Sequence, residues 1–123
     1  EKKGKVLSEE ISSEILRKLE VWEKEHYFLS SDITLITLSK ALNTNANYLS
    51  KTINQFKKQS FTSYLINLRI QYAMDKIHSD SRFRKYTIKA ISEHVGFKTS
   101  ESFAKAFQKN IGEKPSSYIK RLA

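Results

Sequence analysis

The chain has 123 residues, of which 22 are Lys or Arg and 13 are Asp or Glu, for a formal net charge of +9. Three glycines, one proline and 28% charged residues favour an all-α fold, either one domain or two small lobes. The lack of cysteine excludes disulfides and thiolate metal sites and fits a reducing cytoplasm. No apolar run approaches the roughly 20 residues needed to cross a bilayer. We therefore expect no membrane contact by this part of the protein.

The charge is unevenly placed along the chain. Residues 1 to 33 carry six Lys or Arg against eight Asp or Glu, whereas residues 34 to 123 carry sixteen against five. The basic excess lies where a polyanion would bind, although a solubilising surface would look the same. The chain begins at Glu1 with neither an initiator Met nor a signal peptide. We expect it to be a part of a longer protein.

The first predicted helix begins at Ser8, and its acidic first turn suits the positive end of the helix dipole. One apolar stripe follows at helical spacing and consists of Ile11, Ile15, Leu19 and Trp22. We interpret this helix as a structural brace with Trp22 in its core. The polar cluster Ser30, Ser31 and Asp32 is expected to end the helix and to cap the next one.

The remainder of the chain contains one plan twice, in residues 34 to 65 and 87 to 119: short helix, tight turn, second helix and Tyr-centred closing helix. The apolar positions of the first copy are Leu35, Leu38, Ala41, Leu42, Leu49, Ile53, Phe61, Tyr64 and Leu65. Those of the second copy are Ile88, Ile91, His94, Val95, Phe103, Phe107, Pro115, Tyr118 and Ile119. The offset is 53 residues through the first helix and 54 from the second helix onward. This spacing predicts two helix-turn-helix units, each with one buried face.

The predicted organisation is a brace helix with its lead-in over residues 1–33, a first helix-turn-helix over 34–61, a linker helix over 62–80 and a second helix-turn-helix with its closing helix over 81–123. About seven helices are expected. The first unit comprises helices over about 34–43 and 47–58, joined by an Asn-containing turn. The linker helix is predicted to bury Tyr64, Leu65, Leu68, Tyr72, Ala73 and Ile77, and it spans roughly 27 Å. A polar connection over 80–86 precedes helices over about 87–95, 100–110 and 116–122.

In a helix-turn-helix the second helix enters the major groove, and its solvent-facing residues touch base edges. If Leu49, Ile53 and Phe56 point inward, the first recognition helix exposes Asn47, Ser50, Lys51 and Asn54, with Tyr48 at the flank. If Phe103 and Phe107 point inward, the second exposes Ser100, Glu101, Ala104, Lys105 and Gln108. Asn can pair with adenine, and Lys can donate to guanine. Glu101 would have to accept from a cytosine amino group or neutralise a neighbouring Lys.

Contacts with DNA phosphates are predicted for a second set of basic residues, which consists of Lys57, Lys58, Lys85, Lys98 and Lys109. Each could equally be a solvated surface charge. Backbone amides at the helix starts near Thr34 and Thr87 are further candidates for phosphate contacts. Their simpler role is to cap the two helices.

The second half of the chain carries a Gly-Phe turn followed by Phe, Gly, Pro and Tyr, within the set Ala90, Ile91, Ser92, Val95, Gly96, Phe97, Phe103, Phe107, Gly112, Pro115, Ser116 and Tyr118. An upstream set comprises Leu35, Leu38, Ala41, Leu42, Tyr48, Leu49, Ser50, Ile53, Phe61, Tyr64, Leu65, Arg69 and Ile70. Together these residues resemble the AraC/XylS family of bacterial transcription regulators, over about residues 33 to 120. The sequence of residues 27 to 70 is similar to that of regulators from the Bacteroidetes group.

The resemblance implies a homeodomain-like, all-α DNA-binding domain that places its two recognition helices in successive major grooves of double-stranded DNA. It also implies a place behind an upstream sensory or dimerisation domain, and activation through contact with RNA polymerase. By motif position it assigns base reading to Asn45, Asn47, Ser50 and Lys51 in the first unit and to Thr99, Ser100, Glu101, Ala104 and Lys105 in the second. The chain departs from the family pattern at Asn43, Thr44 and Lys58. Ala104 is too small to donate a hydrogen bond to a base.

Other functions fit the sequence less well. The three His residues lack metal-ligand spacing, and there is no Gly-rich phosphate loop or nucleophile motif. We therefore expect no enzyme, no cofactor, no metal and no catalytic residue, and we interpret His94 as a partly buried packing residue. The alternative is a basic module that binds nucleic acid or acidic proteins without specificity. Its aromatic residues lie at core spacing, however, where bases could not stack on them.

Overall fold

The computed structural model describes residues 8 to 122, which contain seven α-helices and no strand. The helices are α1 Glu9–Lys24, α2 Leu35–Ala41, α3 Ala46–Thr52, α4 Phe61–Ser79, α5 Ile88–His94, α6 Ser100–Ile111 and α7 Pro115–Leu122. Two 3-10 turns, Tyr27–Leu29 and Phe83–Lys85, lie between helices, and a π-helical turn, Ile53–Lys57, continues α3. The predicted all-α class is confirmed. The first seven residues of the predicted brace segment lie outside the described residues.

The helices are divided between two compact units. The first unit contains the residues up to Phe28 together with Asp32–Leu65, and the second contains Leu29–Ser31 together with the residues from Ile66 onward. The helix α4 therefore contributes its first residues to one unit and the rest to the other. The predicted segment boundaries at residues 33, 61 and 80 stay a proposal.

The brace helix α1 supplies one wall of the first unit. Its predicted stripe is confirmed, since Ile15, Leu19 and Trp22 are buried and Ile11 is half-buried. The Ser8 side chain accepts from the Ile11 N–H at 3.2 Å, which satisfies an amide that the helix leaves unpaired. The helix ends at Lys24, earlier than predicted, because His26 takes a left-handed conformation with φ 59°.

The turn of the first helix-turn-helix has the same construction as the turn of the second, although its residues differ. Asn43 and Gly96, 53 positions apart, both adopt positive φ, at 58° and 98°. The next amide donates to a serine carbonyl in both copies, from Thr44 to Ser39 at 2.8 Å and from Phe97 to Ser92 at 2.9 Å. Asn tolerates the left-handed region better than most residues. The departure at Asn43 therefore preserves the backbone geometry, as predicted for an Asn-containing turn.

The linker helix buries a face that differs from the predicted one. Tyr64, Leu65, Ala73 and Ile77 are buried as expected, whereas Leu68 and Tyr72 are only half-buried. Arg69 and Ile70 take their place, at 7% and 3% exposure. The apolar stripe is broken because this helix serves a different core in each unit, so its buried side is not a single line of apolar residues.

The connection over residues 80–86, predicted to be polar, contains a core residue. Phe83 is 2% exposed and packs in the core of the second unit with Ile77, Ile91 and Phe107. His94, predicted to be partly buried, is instead exposed, although its ring contacts those of Tyr72 and Phe83 at 6.1 and 5.5 Å. At this position Phe83 is the buried ring, and His94 lies edge-on against it.

Candidate nucleic-acid interface

The first recognition helix, α3, packs against both α1 and α2. The Asn45 side chain caps its start by accepting from the Tyr48 N–H at 2.8 Å. Leu49, Thr52 and Ile53 are fully buried, and the Thr52 hydroxyl donates to the Tyr48 carbonyl at 2.9 Å, so its polar group is satisfied inside the core. The helix is therefore fixed on its inner side and at its start.

The predicted base-reading residues of the first unit lie on the remaining surface of this helix. Asn45, Asn47 and Asn54 are exposed, while Ser50 and Lys51 are half-buried. The side-chain oxygen of Asn45 accepts the capping hydrogen bond, and that bond leaves the side-chain NH2 group unused. We call residues 45–58, which comprise α3, the π-helical turn and their two end residues, the first recognition segment. The first unit presents three asparagine side chains along the exposed side of this segment.

The prediction that Phe56 points inward is wrong. Phe56 is 46% exposed, and Thr52 occupies the core instead. The cause is the π-helical turn Ile53–Lys57, in which backbone bonds span five residues rather than four. The wider turn advances each side chain by a smaller angle, so Phe56 no longer falls on the line of Leu49 and Ile53. The turn ends at Lys58, whose φ of 58° matches the left-handed Gly112 in the second unit.

The second recognition helix, α6, is capped in the same way at the matching position. The Thr99 hydroxyl accepts from the Ser102 N–H at 3.0 Å. Phe103, Ala106 and Phe107 are buried, and Gly112 ends the helix with φ 93°. Inward placement of Phe103 and Phe107 is thereby confirmed. Asn45 and Thr99, which sequence resemblance assigned to base reading, are the caps of the two recognition helices.

The predicted reading residues of the second unit fall into two groups. The exposed residues are Thr99, Glu101, Lys105 and Gln108, and the half-buried residues are Ser100 and Ala104. Glu101 lies in the first turn of α6, where the helix dipole favours a carboxylate. The presence of Glu101 is therefore explained by the stability of α6, without a contact to a DNA base.

The predicted phosphate contacts differ in their availability. Lys58, Lys85, Lys98 and Lys109 are exposed, whereas Lys57 is half-buried, with its Nζ 3.8 Å from Glu23. Thr34 and Thr87 cap α2 and α5, since their hydroxyls accept from the N–H groups of Thr37 and Ala90 at 3.0 Å each. Their capping role is thus confirmed, and a phosphate contact stays a prediction.

The turn of the second unit rests on Arg69, a contact that the sequence pattern did not indicate. Its guanidinium donates to the Ser30 carbonyl at 2.6 Å and lies 5.8 Å from the Phe97 ring centroid. Burial lowers the pKa of Arg69. Arg69 passes so close to Gly96 that an added Cβ would lie 2.7 Å from its Nε. The guanidinium therefore fixes the tight turn that leads into α6.

Residues 38–121 match a protein family described as a helix-turn-helix domain, which is more than half of the chain. The chain belongs to the AraC-type helix-turn-helix family. The likeness predicted from the Gly-Phe turn and its downstream residues is confirmed. AraC-type domains are DNA-binding parts of transcription regulators and not enzymes. The Bacteroidetes likeness stays a prediction.

Solved AraC-type domains share this fold. The C-terminal domain of AraT, a response regulator from Geobacillus stearothermophilus, is 32% identical with a TM-score of 0.75, over 87% of this chain and 84% of that one. The DNA-binding domain of AdpA, solved in complex with a target DNA, has a TM-score of 0.72 at 16% identity, over 89% of this chain and 90% of that one. The second likeness concerns the fold alone.

Among curated proteins, the Msm operon regulatory protein of Streptococcus mutans is 28% identical over 97 residues. The alignment covers 79% of this chain but 34% of that protein, so the AraC-type chain spans about a third of the length of this relative. Between residues 8 and 122, no helix combines the length and apolar character that a membrane span requires.

Proposed function

We propose that this chain binds double-stranded DNA in a sequence-specific manner, as the DNA-reading part of a bacterial transcription regulator. The observation that carries the proposal is the matching construction of α3 and α6, each capped by a polar side chain and buried on one side only. Both helices lie in the part of the chain that carries sixteen Lys or Arg against five Asp or Glu. Recognition helices of this kind enter the major groove.

In the first unit, the reading chemistry would come from amide and ammonium groups. Asn47 and Asn54 are exposed and can each pair with adenine through two hydrogen bonds, and Lys51 can donate to the O6 and N7 acceptors of guanine. The hydroxyl of Ser50 and the side-chain NH2 group of Asn45 would add further contacts. We therefore expect the first unit to discriminate between base pairs more strongly than the second.

In the second unit, Lys105 and Gln108 are the exposed polar groups of α6 that can reach a base, and Ser100 and Thr99 lie at its start. Ala104 offers only a methyl group, which suits the methyl group of thymine. Glu101 either accepts from cytosine or serves the helix dipole. We expect this unit to contribute a shorter and weaker sequence block.

The exposed lysines Lys58, Lys85, Lys98 and Lys109, with the helix starts at Thr34 and Thr87, would hold the DNA backbone. Such contacts add affinity without reading sequence. They make binding fall steeply with salt, because each neutralised phosphate releases counterions.

Selection from randomised duplexes with the purified chain tests this function. Two unlike enriched blocks, with centres about one helical turn or roughly 10 base pairs apart, are expected if both units enter successive major grooves. If the chain binds duplex DNA but no sequence block is enriched, the result would instead favour a basic module that binds nucleic acid without specificity. Preference for an acidic protein or for single-stranded RNA over duplex would contradict the proposal.

Lys51→Ala is expected to weaken binding to the selected duplex by about 1 to 3 kcal/mol and to relax the preference at one base position. The physical reason is the loss of a donor to a base acceptor. Fluorescence anisotropy against the selected duplex and its single-base variants measures both effects. Lys40→Ala, at an exposed position on α2 outside the proposed site, is the control. An equal loss across all base variants would make Lys51 a phosphate contact.

For the full-length protein, we propose a cytoplasmic regulator that activates transcription by touching RNA polymerase and that carries an upstream sensory or dimerisation domain. The name of the Streptococcus relative, an operon regulatory protein, supports the regulatory role. Transcription assays with purified polymerase and a template bearing the selected site test it. Repression of the template would overturn the activator assignment while leaving DNA recognition intact.

A further inference from the structure

Three segments of the first unit meet at the carboxylate of Glu23. Glu23 lies on α1, near its end, and is the acceptor for the hydroxyl of Tyr64 on α4. The Nζ of Lys57, the last residue of the π-helical turn, is 3.8 Å from the same Oε2 oxygen. The Lys57 ammonium also lies 6.0 Å from the centroid of the Tyr64 ring. One carboxylate thus holds a donor from α4 and a cation from the recognition segment.

The Lys57–Glu23 ion pair differs from the exposed ion pairs that form within single helices. Lys89 and Glu93, for example, are four positions apart on α5, with side chains 77% and 60% exposed. Lys57 and Glu23 are 34 positions apart, with side chains 34% and 27% exposed. Burial and the hydrogen bond to Glu23 raise the pKa of Tyr64, which keeps its hydroxyl a donor. Reduced exposure and a third partner make the pair harder for solvent to replace.

Lys57 and Lys58 are neighbours at the end of the first recognition segment, but their surroundings differ. Lys58 is exposed, whereas Lys57 is held by Glu23. A phosphate that binds the Lys57 ammonium must compete with the Glu23 carboxylate, which already lies 3.8 Å away. The contribution of Lys57 to DNA affinity is therefore reduced by that competition.

We propose that Glu23 is a positioning residue that withholds the Lys57 ammonium from the DNA backbone. The inference rests on the proposed function and refines it, because it removes Lys57 from the set of phosphate contacts. The brace helix then acts on DNA binding as well as on packing: it supplies a fixed counterion that limits the sequence-independent affinity of the first recognition segment. Removing the negative charge of Glu23 would release a cation to the phosphates.

The test compares Glu23→Gln, Lys57→Gln and the double variant with the wild-type chain in duplex titrations at several salt concentrations. Gln at position 23 retains an acceptor for Tyr64 but cannot neutralise Lys57. Glu20→Gln is the matched control, since it removes an equal charge from the same helix at a site paired with Lys24. Circular dichroism and urea unfolding verify that each variant is folded.

Glu23→Gln is expected to steepen the slope of log K against log salt by about 0.9, the value for one further neutralised phosphate. Each doubling of the salt concentration then weakens its binding about 1.9-fold more than that of the wild type. Lys57→Gln, the double variant and Glu20→Gln are all expected to keep the wild-type slope.

Two results would overturn the inference. One is a shallower slope for Lys57→Gln alone, which would show that Lys57 already neutralises a phosphate. The other is a Glu23→Gln slope no steeper than that of Glu20→Gln. Either result leaves the proposed function standing if the wild-type chain binds duplex with a steep salt dependence. A wild-type chain with no salt-dependent duplex binding would refute the proposed function itself.

Discussion

Phe103→Ala is expected to lower the free energy of unfolding by about 3 to 5 kcal/mol. The Phe103 side chain is fully buried, and its ring lies 5.4 Å from that of Phe97 and 5.7 Å from that of Phe107. Its loss leaves a cavity at the base of α6 and removes two aromatic contacts. Domains of this size are stable by about 5 to 15 kcal/mol. The variant should therefore be near the limit of folding, with a large shift of its urea midpoint.

Phe56→Ala is the matched control, because the same atoms are deleted from the other recognition segment. Phe56 is 46% exposed, so we expect a loss within about 0.5 kcal/mol. Equal losses for the two variants would contradict the outward placement of Phe56. They would also contradict the role of the π-helical turn as its cause.

Gly96→Ala is expected to cost about 2 to 5 kcal/mol, as the sum of two effects. The φ of 98° lies in a region that strains any residue with a Cβ, at about 1 to 2 kcal/mol. The added Cβ would also lie 2.7 Å from the Nε of Arg69 and 2.9 Å from the carbonyl oxygen of Leu29, which adds about 1 to 3 kcal/mol of overpacking. Urea unfolding measures the total.

Gly112→Ala separates the two effects. Gly112 has a similar φ of 93°, but nothing lies within 4 Å of a Cβ built there. Only the backbone strain applies, so the expected loss is about 1 to 2 kcal/mol. If Gly96→Ala cost no more stability than Gly112→Ala, the turn could rearrange around Arg69, and the conclusion that the Arg69 guanidinium fixes this turn would be wrong.

Much of the construction of the two units is visible in the repeat. Matching positions hold the helix caps, with Thr34 and Thr87 at an offset of 53 and Asn45 and Thr99 at an offset of 54. The change of offset corresponds to one extra residue, Lys98, in the second turn. Caps are set by local backbone chemistry, which is why the repeat predicted Thr34 and Thr87 as caps. The resemblance instead assigned Asn45 and Thr99 to base reading, and the structure shows that both are caps.

The features that escaped prediction depend on contacts made at a distance. A π-helical turn has no recognisable amino-acid composition, so the spacing of apolar residues could not predict that Phe56 is exposed. Arg69 is a charged residue whose burial depends on a carbonyl 39 positions away, at Ser30. Glu23 lies in the predicted brace helix and Lys57 among the predicted phosphate contacts, and nothing in the sequence pattern links the two. Their pairing required the packing of α1 against the recognition segment.

Hydroxyl-radical footprinting of the purified chain on a selected duplex tests whether both recognition helices bind one DNA site, because it would map the contacts of the two units in one experiment. If both recognition helices enter successive major grooves, two protected patches with centres about 10 base pairs apart are expected. Paired alanine substitutions at Asn47 and Lys51 should remove one patch, and substitutions at Lys105 and Gln108 should weaken the other. A single patch that only one of the paired variants affects, or protection that ignores the sequence, would contradict the claim that two recognition helices read one DNA site.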